Sequence, residues 1–240
     1  MTDTEDSALT VLFEDEHLVA VNKPAGLLVH PSAIDSHNTD TLISRITHQL
    51  GTRCAPIHRL DRATSGVILL ARHSGAARHM GQTWHETTEK TYVAVVRGHL
   101  KDAVDLEHPV RDRDSGKRQL AQTRFRPLAE VEIPEAVDRY PTTRYGLVEA
   151  KPITGRRHQI RQHLKHLSHP IVGDSSFGKS VHNRYIARRF DAARLLLHAK
   201  GLSFTHPVTH LRVSLEAAPD AAFQRVLTGL PWRTAQDTPE

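Results

Sequence analysis

One short segment joins a charged turn to an apolar strand, and it constrains the local fold more than any other part of the chain. It reads HRLDRATSG over residues 58–66 and continues into four apolar residues, 67–70. Hydroxyl side chains and a glycine favour a turn, and a short apolar run after a turn is typical of a buried strand. The pattern predicts that Asp61 is held rigidly on the turn, where its carboxylate can face a ligand. Alternatively, Asp61 only caps the turn or pairs with Arg59 or Arg62.

The length and charge of the chain favour one domain with a polyanionic partner. The 240 residues include 32 Lys and Arg against 27 Asp and Glu, which gives a formal net charge of +5. A chain of this length can bury a substantial core, and we expect a single domain over 9–232. The polar ends, 1–8 and 233–240, are expected to be disordered tails. The basic charge favours a nucleic acid as partner.

Cysteine usage and hydropathy favour a reducing compartment. Cys54 is the only cysteine of the chain, so an internal disulfide framework is excluded. No apolar run approaches the length of a membrane span, and the acidic N-terminus lacks the basic and apolar regions of a signal peptide. We therefore expect a cytoplasmic protein with no membrane partner, and no pattern implies a protein partner.

Hydrophobic periodicity predicts an α+β fold, in which helices flank a mainly antiparallel mixed sheet. Between 104 and 144 the pattern is irregular, and we expect a hairpin and a long surface loop there. The predicted strands cover 9–13, 18–22, 90–98, 145–150, 195–204 and 211–215. The predicted helices run from a cap at Asp40 or Thr41 to Leu50, and over 75–86, 156–167 and 220–230.

The segment at 58–66 resembles the active-site motif of the RluA-type pseudouridine synthases, which reads H-R-L-D-x-x-T-S-G. The resemblance implies an RNA-modifying isomerase built on the pseudouridine synthase catalytic domain, with Asp61 as the catalytic carboxylate. A uridine inside folded RNA has to be extruded before its glycosidic bond can react. The resemblance implies that Arg59 helps to fill the vacated space, and we expect His58 and Arg62 to contribute to substrate binding.

A second motif, TGRRHQIRQH over 154–163, is typical of the first turns of an amphipathic helix. Thr154 or Gly155 suits the start of the helix, and Arg157 and Arg161 lie along one flank of its apolar stripe. By itself the pattern fits an arginine whose stem covers apolar surface while its charge reaches solvent. The segment also resembles the third motif of the family, which implies that Arg161 pairs with the catalytic aspartate. We expect Arg157 to bind substrate.

Such a pair would control the charge of the catalytic carboxylate. Burial can raise a carboxyl pKa by roughly 3–5 units, whereas an adjacent guanidinium lowers it by roughly 1–3 units. An arginine beside Asp61 would therefore keep the carboxylate ionised inside a dry site.

Two further segments resemble motifs of the same family. The strand pattern EKTYVAVVRG over 89–98 resembles the segment that supplies the active-site tyrosine, which implies that Tyr92 contacts the target uracil. Stacking on an aromatic ring is worth roughly 1–3 kcal/mol per base. The alternative is a core tyrosine on an ordinary strand. Residues 23–31 resemble the first, more structural motif, and for Lys23 and His30 a scaffold role and an RNA contact both stay open.

The RNA target is suggested by two other stretches. Residues 139–149 and 169–175 resemble members of the family that modify transfer RNA, which implies isomerisation of uridine 65 of that RNA. Action on ribosomal RNA, or on both kinds of RNA, is the alternative. The resemblance implies no cofactor. Histidines recur at 158, 163, 166 and 169, but their spacing lacks the pattern of metal ligands, and we expect no metal site.

Two hypotheses come from other functional classes. A non-catalytic RNA-binding module would explain the basic charge and the arginine-rich helix. A glycoside hydrolase would pair Asp61 with a second carboxylate, for which Glu89, Glu149 and Asp174 are candidates.

Overall fold

The computed structural model of the chain describes residues 8–30, 40–112 and 114–234. Most of the two predicted tails lies outside these residues, although Arg233 and Thr234, assigned by the prediction to the C-terminal tail, form a short strand. The chain divides into two compact units. Unit 1 runs to Lys90 and adds Ala199–Ala218, and unit 2 holds Thr91–His198 and continues from Pro219. The single domain predicted over 9–232 stays a prediction.

The strands account for most of the regular structure. In chain order they are β1 Thr10–Glu14, β2 Leu18–Lys23, β3 Ala55–Pro56, β4 Ser65–Ala71, β5 Glu89–Arg97, β6 Val104–Glu107, β7 Val110–Arg111, β8 Arg118–Gln119, β9 Gln122–Ile133, β10 Thr143–Pro152, β11 Leu197–Thr205, β12 Arg212–Glu216 and β13 Arg233–Thr234.

The helices fall between the strands. They are α1 Leu42–Leu50, α2 Ser74–Thr87, α3 Gln159–His166, α4 Ser180–Phe190 and α5 Ala221–Gly229. Within the described ranges, no helix has both the length and the apolar character that crossing a membrane requires.

Unit 1 is built around strand β4, whose seven residues are all buried. The strand order is β1-β2-β4-β11, with β3 beside β4 and β12 beside β11. β2 and β4 pair antiparallel from Leu18↔Ala71 to Lys23↔Gly66. Gly66 has a φ of +114°, and a Cβ there would lie 2.2 Å from the carbonyl oxygen of Ala199, so the strand can approach its neighbour only with glycine. Alternate residues of β2 and β4 pack on Met80 and Trp84 of α2.

Unit 2 is built around the antiparallel order β5-β10-β9-β13, with β6 also beside β9. β7 and β8 form a separate hairpin. Tyr145 of β10, Val95 of β5 and Val131 of β9 share a buried cluster with Ile186 of α4 and Phe223 of α5. Helices and mainly antiparallel sheets in both units confirm the predicted α+β class.

Local capping signals explain where two predicted helices begin. Before α1, the Thr41 side chain accepts a hydrogen bond from the Ser44 amide, and the Ser44 hydroxyl accepts one from the Thr41 amide. Gly51, with a φ of +64°, ends that helix. Asp220 caps α5 by accepting from the Phe223 amide at 2.9 Å. The predictions for these helices are confirmed.

Two expectations about local structure are wrong, and one helix was not predicted. The long surface loop expected between 104 and 144 contains the twelve-residue strand β9. Helix α3 begins at Gln159 and not near Thr154 or Gly155, because His158 adopts a left-handed conformation with a φ of +56° just before it. Helix α4 is absent from the prediction.

Candidate active site

Asp61 lies on the turn that leads into β4, as the sequence predicts. Its carbonyl oxygen accepts a hydrogen bond from the Thr64 amide at 3.0 Å, which closes the turn. Leu60, Thr64 and Ser65 are buried on either side, whereas Asp61 itself is partly exposed. The neighbouring backbone therefore fixes the position of a carboxylate that remains accessible.

A buried lysine joins this turn to the loop that follows β2. Lys23 is fully buried, and its Nζ donates hydrogen bonds to the carbonyl oxygens of Pro24 at 2.8 Å, Leu27 at 2.9 Å and Arg62 at 3.1 Å. Three acceptors offset the cost of burying the ammonium group. These contacts give Lys23 a structural role next to Asp61.

Arg62 takes part in the same junction. Its Nε donates to the Gly26 carbonyl at 2.9 Å, while the Gly26 amide donates to the Arg62 carbonyl at 2.8 Å. Arg59 and Arg62 are both exposed. Substrate binding by either arginine stays a prediction.

The side chain of His58 links the segment before Asp61 to strand β4 and helix α2. Its Nε2 accepts a hydrogen bond from the Leu69 amide at 3.0 Å, and its ring stacks on Trp84 with 4.9 Å between the ring centroids. Burial and the positive charge of Lys90 together lower the pKa of His58 to about 3, against the opposing effect of a backbone hydrogen bond with Arg59. The ring is therefore neutral at pH 7 and packs as part of the scaffold. Its predicted contact with substrate stays a prediction.

The depressed pKa of His58 predicts a specific pH dependence of stability. Unfolding returns the pKa from about 3 to 6.5, so the unfolded chain binds the extra proton between these values. Stability is therefore full above pH 6.5 and falls as the pH drops toward 3. When the pH falls from 7.5 to 5, protonation of His58 in the unfolded chain is expected to lower the free energy of unfolding by about 2 kcal/mol.

Urea unfolding of wild type and His58→Gln at these two pH values measures that effect. Glutamine can still accept the Leu69 amide but does not titrate, so the loss between pH 7.5 and pH 5 should shrink by about 2 kcal/mol. His48→Gln, at an exposed position of α1, should leave the loss unchanged. Equal pH dependence in wild type and His58→Gln would refute the assignment.

Tyr92 and Arg161 both belong to unit 2. Tyr92 is 9% exposed near the start of β5, where it pairs with Ala150 of β10. Arg161 is 7% exposed on α3, a helix whose Ile160 and Leu164 are buried as the sequence predicts. The pairing predicted between Arg161 and Asp61 of unit 1 stays a prediction.

The structure gives Arg161 a partner within its own unit. Its Nε donates to Asp174 Oδ2 at 2.7 Å and its Nη2 donates to Asp174 Oδ1 at 2.9 Å. Asp174 Oδ1 also accepts from the amides of Ser176 at 2.8 Å and Phe177 at 2.9 Å. The guanidinium group lies 5.2 Å from the centroid of the Phe177 ring. Arg161 is therefore held in one orientation by a two-point ion pair and an aromatic face.

Asp174 is a functional candidate for which the sequence suggested a different role. Burial alone would raise its pKa, but hydrogen bonds and charge from Arg161, together with the two backbone amides, hold the pKa of this carboxyl below its ordinary value. A general acid for a departing group needs the opposite shift. Glu149 and Glu89, the other candidates for a glycosidase pair, are bonded to Arg126 at 3.2 Å and Arg212 at 2.7 Å.

Gln159 is a structural residue of this region to which the sequence analysis gave no role. It is buried, and its Oε1 accepts from the Thr154 hydroxyl at 2.7 Å and from the Arg156 amide at 2.9 Å. Its Nε2 donates to the Gln122 carbonyl and to the Thr123 hydroxyl, both at 2.9 Å. Gln159 thus fixes the loop that delivers α3, and its place inside the motif at 154–163 was the available signal.

Arg157 lies in the turn before α3 and forms an ion pair with Asp114. Such exposed pairs contribute little free energy. Substrate binding by Arg157 stays a prediction.

The recurring histidines have other partners: His163 lies 3.0 Å from both the Thr123 hydroxyl and the His108 carbonyl, and His169 lies 3.1 Å from the Arg97 carbonyl. Among the described residues, no group of His, Cys, Asp or Glu is arranged to hold a metal ion.

Comparison with known proteins decides the family. Residues 17–166, which include the Asp61 turn, Tyr92 and Arg161, match the family model described as RNA pseudouridylate synthase. The chain belongs to this family. The family resemblance carried by the motifs at 58–66, 89–98 and 154–163 is thereby confirmed, and the chain is a pseudouridine synthase, an isomerase.

Several relatives of this pseudouridine synthase are similar over nearly their whole length. The chain is 43% identical to tRNA pseudouridine synthase C of Vibrio cholerae, over 94% of this chain and 97% of that protein. It is 44% identical to tRNA pseudouridine synthase C of Salmonella typhi, over 94% of this chain and 91% of that protein.

Solved structures support the same fold. Human RNA Pseudouridylate Synthase Domain Containing 1 matches with a TM-score of 0.71 at 23% identity, over 98% of this chain and 92% of that one. Human RNA Pseudouridylate Synthase Domain Containing 4 also matches with a TM-score of 0.71, at 25% identity and over 94% of each chain.

Proposed function

We propose that this pseudouridine synthase acts on transfer RNA and that uridine 65 is its target. The observation that carries the proposal is identity of 43% to a tRNA pseudouridine synthase C across 94% of the chain. The segments at 139–149 and 169–175 that suggested a transfer RNA target lie within unit 2. Because its substrate would be transfer RNA, we also propose a cytoplasmic location.

Asp61 is the proposed catalytic carboxylate. In the reaction, the bond between ribose C1′ and uracil N1 breaks, the base turns, and a bond between C5 and C1′ forms. The proton on C5 leaves and N1 gains a proton, so the product is an isomer and no external oxidant or reductant is needed. The Asp61 carboxylate can attack the reacting nucleotide or stabilise positive charge on the sugar, because the turn holds it in place while leaving it partly exposed.

The extruded nucleotide needs other contacts. Exposed Arg59, two residues before Asp61, is proposed to occupy the space that the uridine leaves in the RNA. Tyr92 is proposed to stack on the uracil ring and to keep it bound while it turns. Removal of the C5 proton is not assigned to a residue.

Arg161 is proposed to orient the Asp61 carboxylate. The ion pair with Asp174 supports this role, because it fixes the guanidinium plane before any substrate binds. Asp174 is then a positioning residue that acts through Arg161. A fixed arginine costs no reorganisation when charge develops in the transition state.

Mapping of pseudouridines in total RNA, from cells with and without the gene, tests the proposal. We expect one pseudouridine of transfer RNA, at position 65, to disappear with the gene and to return when purified protein is added to the unmodified RNA. Loss of a ribosomal RNA pseudouridine alone would replace the transfer RNA assignment. Release of free uracil from RNA would instead support a glycosidase.

A further inference from the structure

A cavity of about 510 Å³ lies in unit 2 beyond the residues assigned to catalysis. Its lining includes Arg97 at the end of β5, Arg144 near the start of β10, and Tyr140 in the loop before β10. Tyr92 lies five residues earlier on β5, which at 3.3 Å per residue places it about 16 Å from Arg97. The volume falls within the roughly 300–1,000 Å³ of small-ligand pockets. The cavity is thus large enough for a ligand and separate from Tyr92.

Arg97 gives the cavity its chemical character. The side chain is partly buried, and its Nε donates to His182 Nε2 at 3.3 Å. His182 lies in turn 3.1 Å from the Tyr145 hydroxyl through its Nδ1. Burial lowers the pKa of His182, and the Arg97 charge lowers it further against the opposing charge of Asp138, so the histidine is a neutral acceptor. Arg97 is therefore oriented without being neutralised.

The other cations around the cavity already have carboxylate partners. Arg144 is 3.0 Å from Glu132, and Lys101 is 3.4 Å from Glu130. Lys179 is likewise 2.7 Å from Asp138, the acidic residue in the lining. Across the described part of the chain, no carboxylate forms an ion pair with Arg97. The Asp138 carboxylate lies 3.9 Å from His182 Nε2 but forms no ion pair with Arg97. The partly buried guanidinium can therefore bind an anionic ligand, and its planar donors suit a phosphate.

An aromatic ring stands at the edge of the same cavity. Tyr140 is 49% exposed. The Arg139 guanidinium lies 4.9 Å from the centroid of its ring. An exposed phenol ring offers a surface on which a nucleobase can stack.

We infer that this cavity binds a second nucleotide unit of the RNA substrate, with its phosphate on Arg97 and its base against Tyr140. The inference rests on the proposed function, since it assumes an RNA substrate. It explains why the segments at 139–149 and 169–175 contribute Tyr140, Arg144 and His169 to one cavity. A contact about 16 Å along β5 from Tyr92 allows the enzyme to bind RNA at a point other than the extruded uridine.

Equilibrium binding of a transfer RNA transcript at several salt concentrations tests the inference. Arg97→Gln should weaken binding about tenfold and reduce the slope of log K against log salt by about 1. Arg188→Gln removes the same charge from an exposed position of α4 and should have little effect. Tyr140→Ala should weaken binding about tenfold, whereas Tyr140→Phe should bind as wild type does.

Other outcomes of these measurements would overturn the inference, distinguish RNA from a free nucleotide, or test the proposed function separately. Equal weakening by Arg188→Gln and Arg97→Gln, or unchanged binding in both Arg97→Gln and Tyr140→Ala, would overturn the inference.

Uridine and adenosine monophosphates are titrated in parallel. Saturable binding of either that requires Arg97, with unchanged affinity for transfer RNA, would assign the cavity to a free nucleotide and overturn the RNA contact. Failure of wild type to form pseudouridine is scored separately and rejects the proposed function instead. If Arg97→Gln fails to fold, the Tyr140 variants decide.

Discussion

Asp61→Asn is expected to lower pseudouridine formation by about 10⁴-fold or more, while RNA affinity stays close to that of wild type. Asparagine has nearly the same shape as aspartate but carries no charge and is a poor nucleophile. The turn should survive, because the hydrogen bond that closes it joins the Asp61 carbonyl to the Thr64 amide and does not use the side chain. Release of tritium from C5 of labelled uridine measures turnover, and a binding titration measures affinity.

Asp191→Asn is the matched control. Asp191 is 96% exposed, and its positive φ of 48° is a conformation that asparagine tolerates well. The variant makes the same chemical change in unit 2 and should retain full activity. Full turnover by Asp61→Asn would remove Asp61 from its proposed role. Unchanged uridine in the presence of wild type would favour the non-catalytic RNA-binding module.

Strand β9 has a sequence pattern that is typical of an irregular loop. Buried Thr123 and Phe125 alternate with exposed residues, and buried Val131 and Ile133 do so again further on. Between them the register shifts where Leu147 pairs with Ala129 but Val148 pairs with Pro127. The alternation is interrupted at residues 127–130, which are all partly exposed, and a proline argues against a strand, so the segment reads as an irregular loop.

Helix α4 was missed for a different reason. Its buried positions include His182 as well as Ile186, and its exposed face is rich in arginine. With a polar residue on the buried side, the apolar period that identifies a helix is weak. Tertiary contacts with the cluster around Phe223 stabilise this helix instead.

Part of the candidate site can be predicted from neighbouring residues, and part depends on the path of the chain. Local turn chemistry and strand pattern place Asp61 correctly, because neighbouring residues alone determine that geometry. The partner of Arg161 depends on where the chain goes after α3. Ser168, with a φ of +64°, and Gly173, with a φ of +80°, redirect the backbone so that Asp174 reaches the helix. No periodic pattern encodes such a return, so the Arg161–Asp174 pair was not predictable from spacing.

This pair is the basis of the second large effect. Arg161→Met and Asp174→Asn are each expected to lower the free energy of unfolding by about 3–5 kcal/mol, because each breaks a buried two-point ion pair by removing one of its partners. Asparagine at 174 can still accept from the amides of Ser176 and Phe177, so the loss reports the charge pair. The lowered pKa of Asp174 means that its stabilisation is present above the ordinary value of 3.8 and is lost as the pH falls through the lower folded value. Urea unfolding at pH 7 therefore measures the full effect.

Combining the two substitutions separates stability from catalysis. The double variant has neither buried charge, so it should be more stable than the sum of the two single losses predicts. Arg126→Met, which breaks the exposed pair with Glu149, should cost about 1 kcal/mol or less. If Arg161 positions the catalytic carboxylate, the double variant stays about 10²-fold or more below wild type in turnover even where it is fully folded. If activity returns together with stability, the arginine serves only to hold unit 2 together, and the proposed link to Asp61 is wrong.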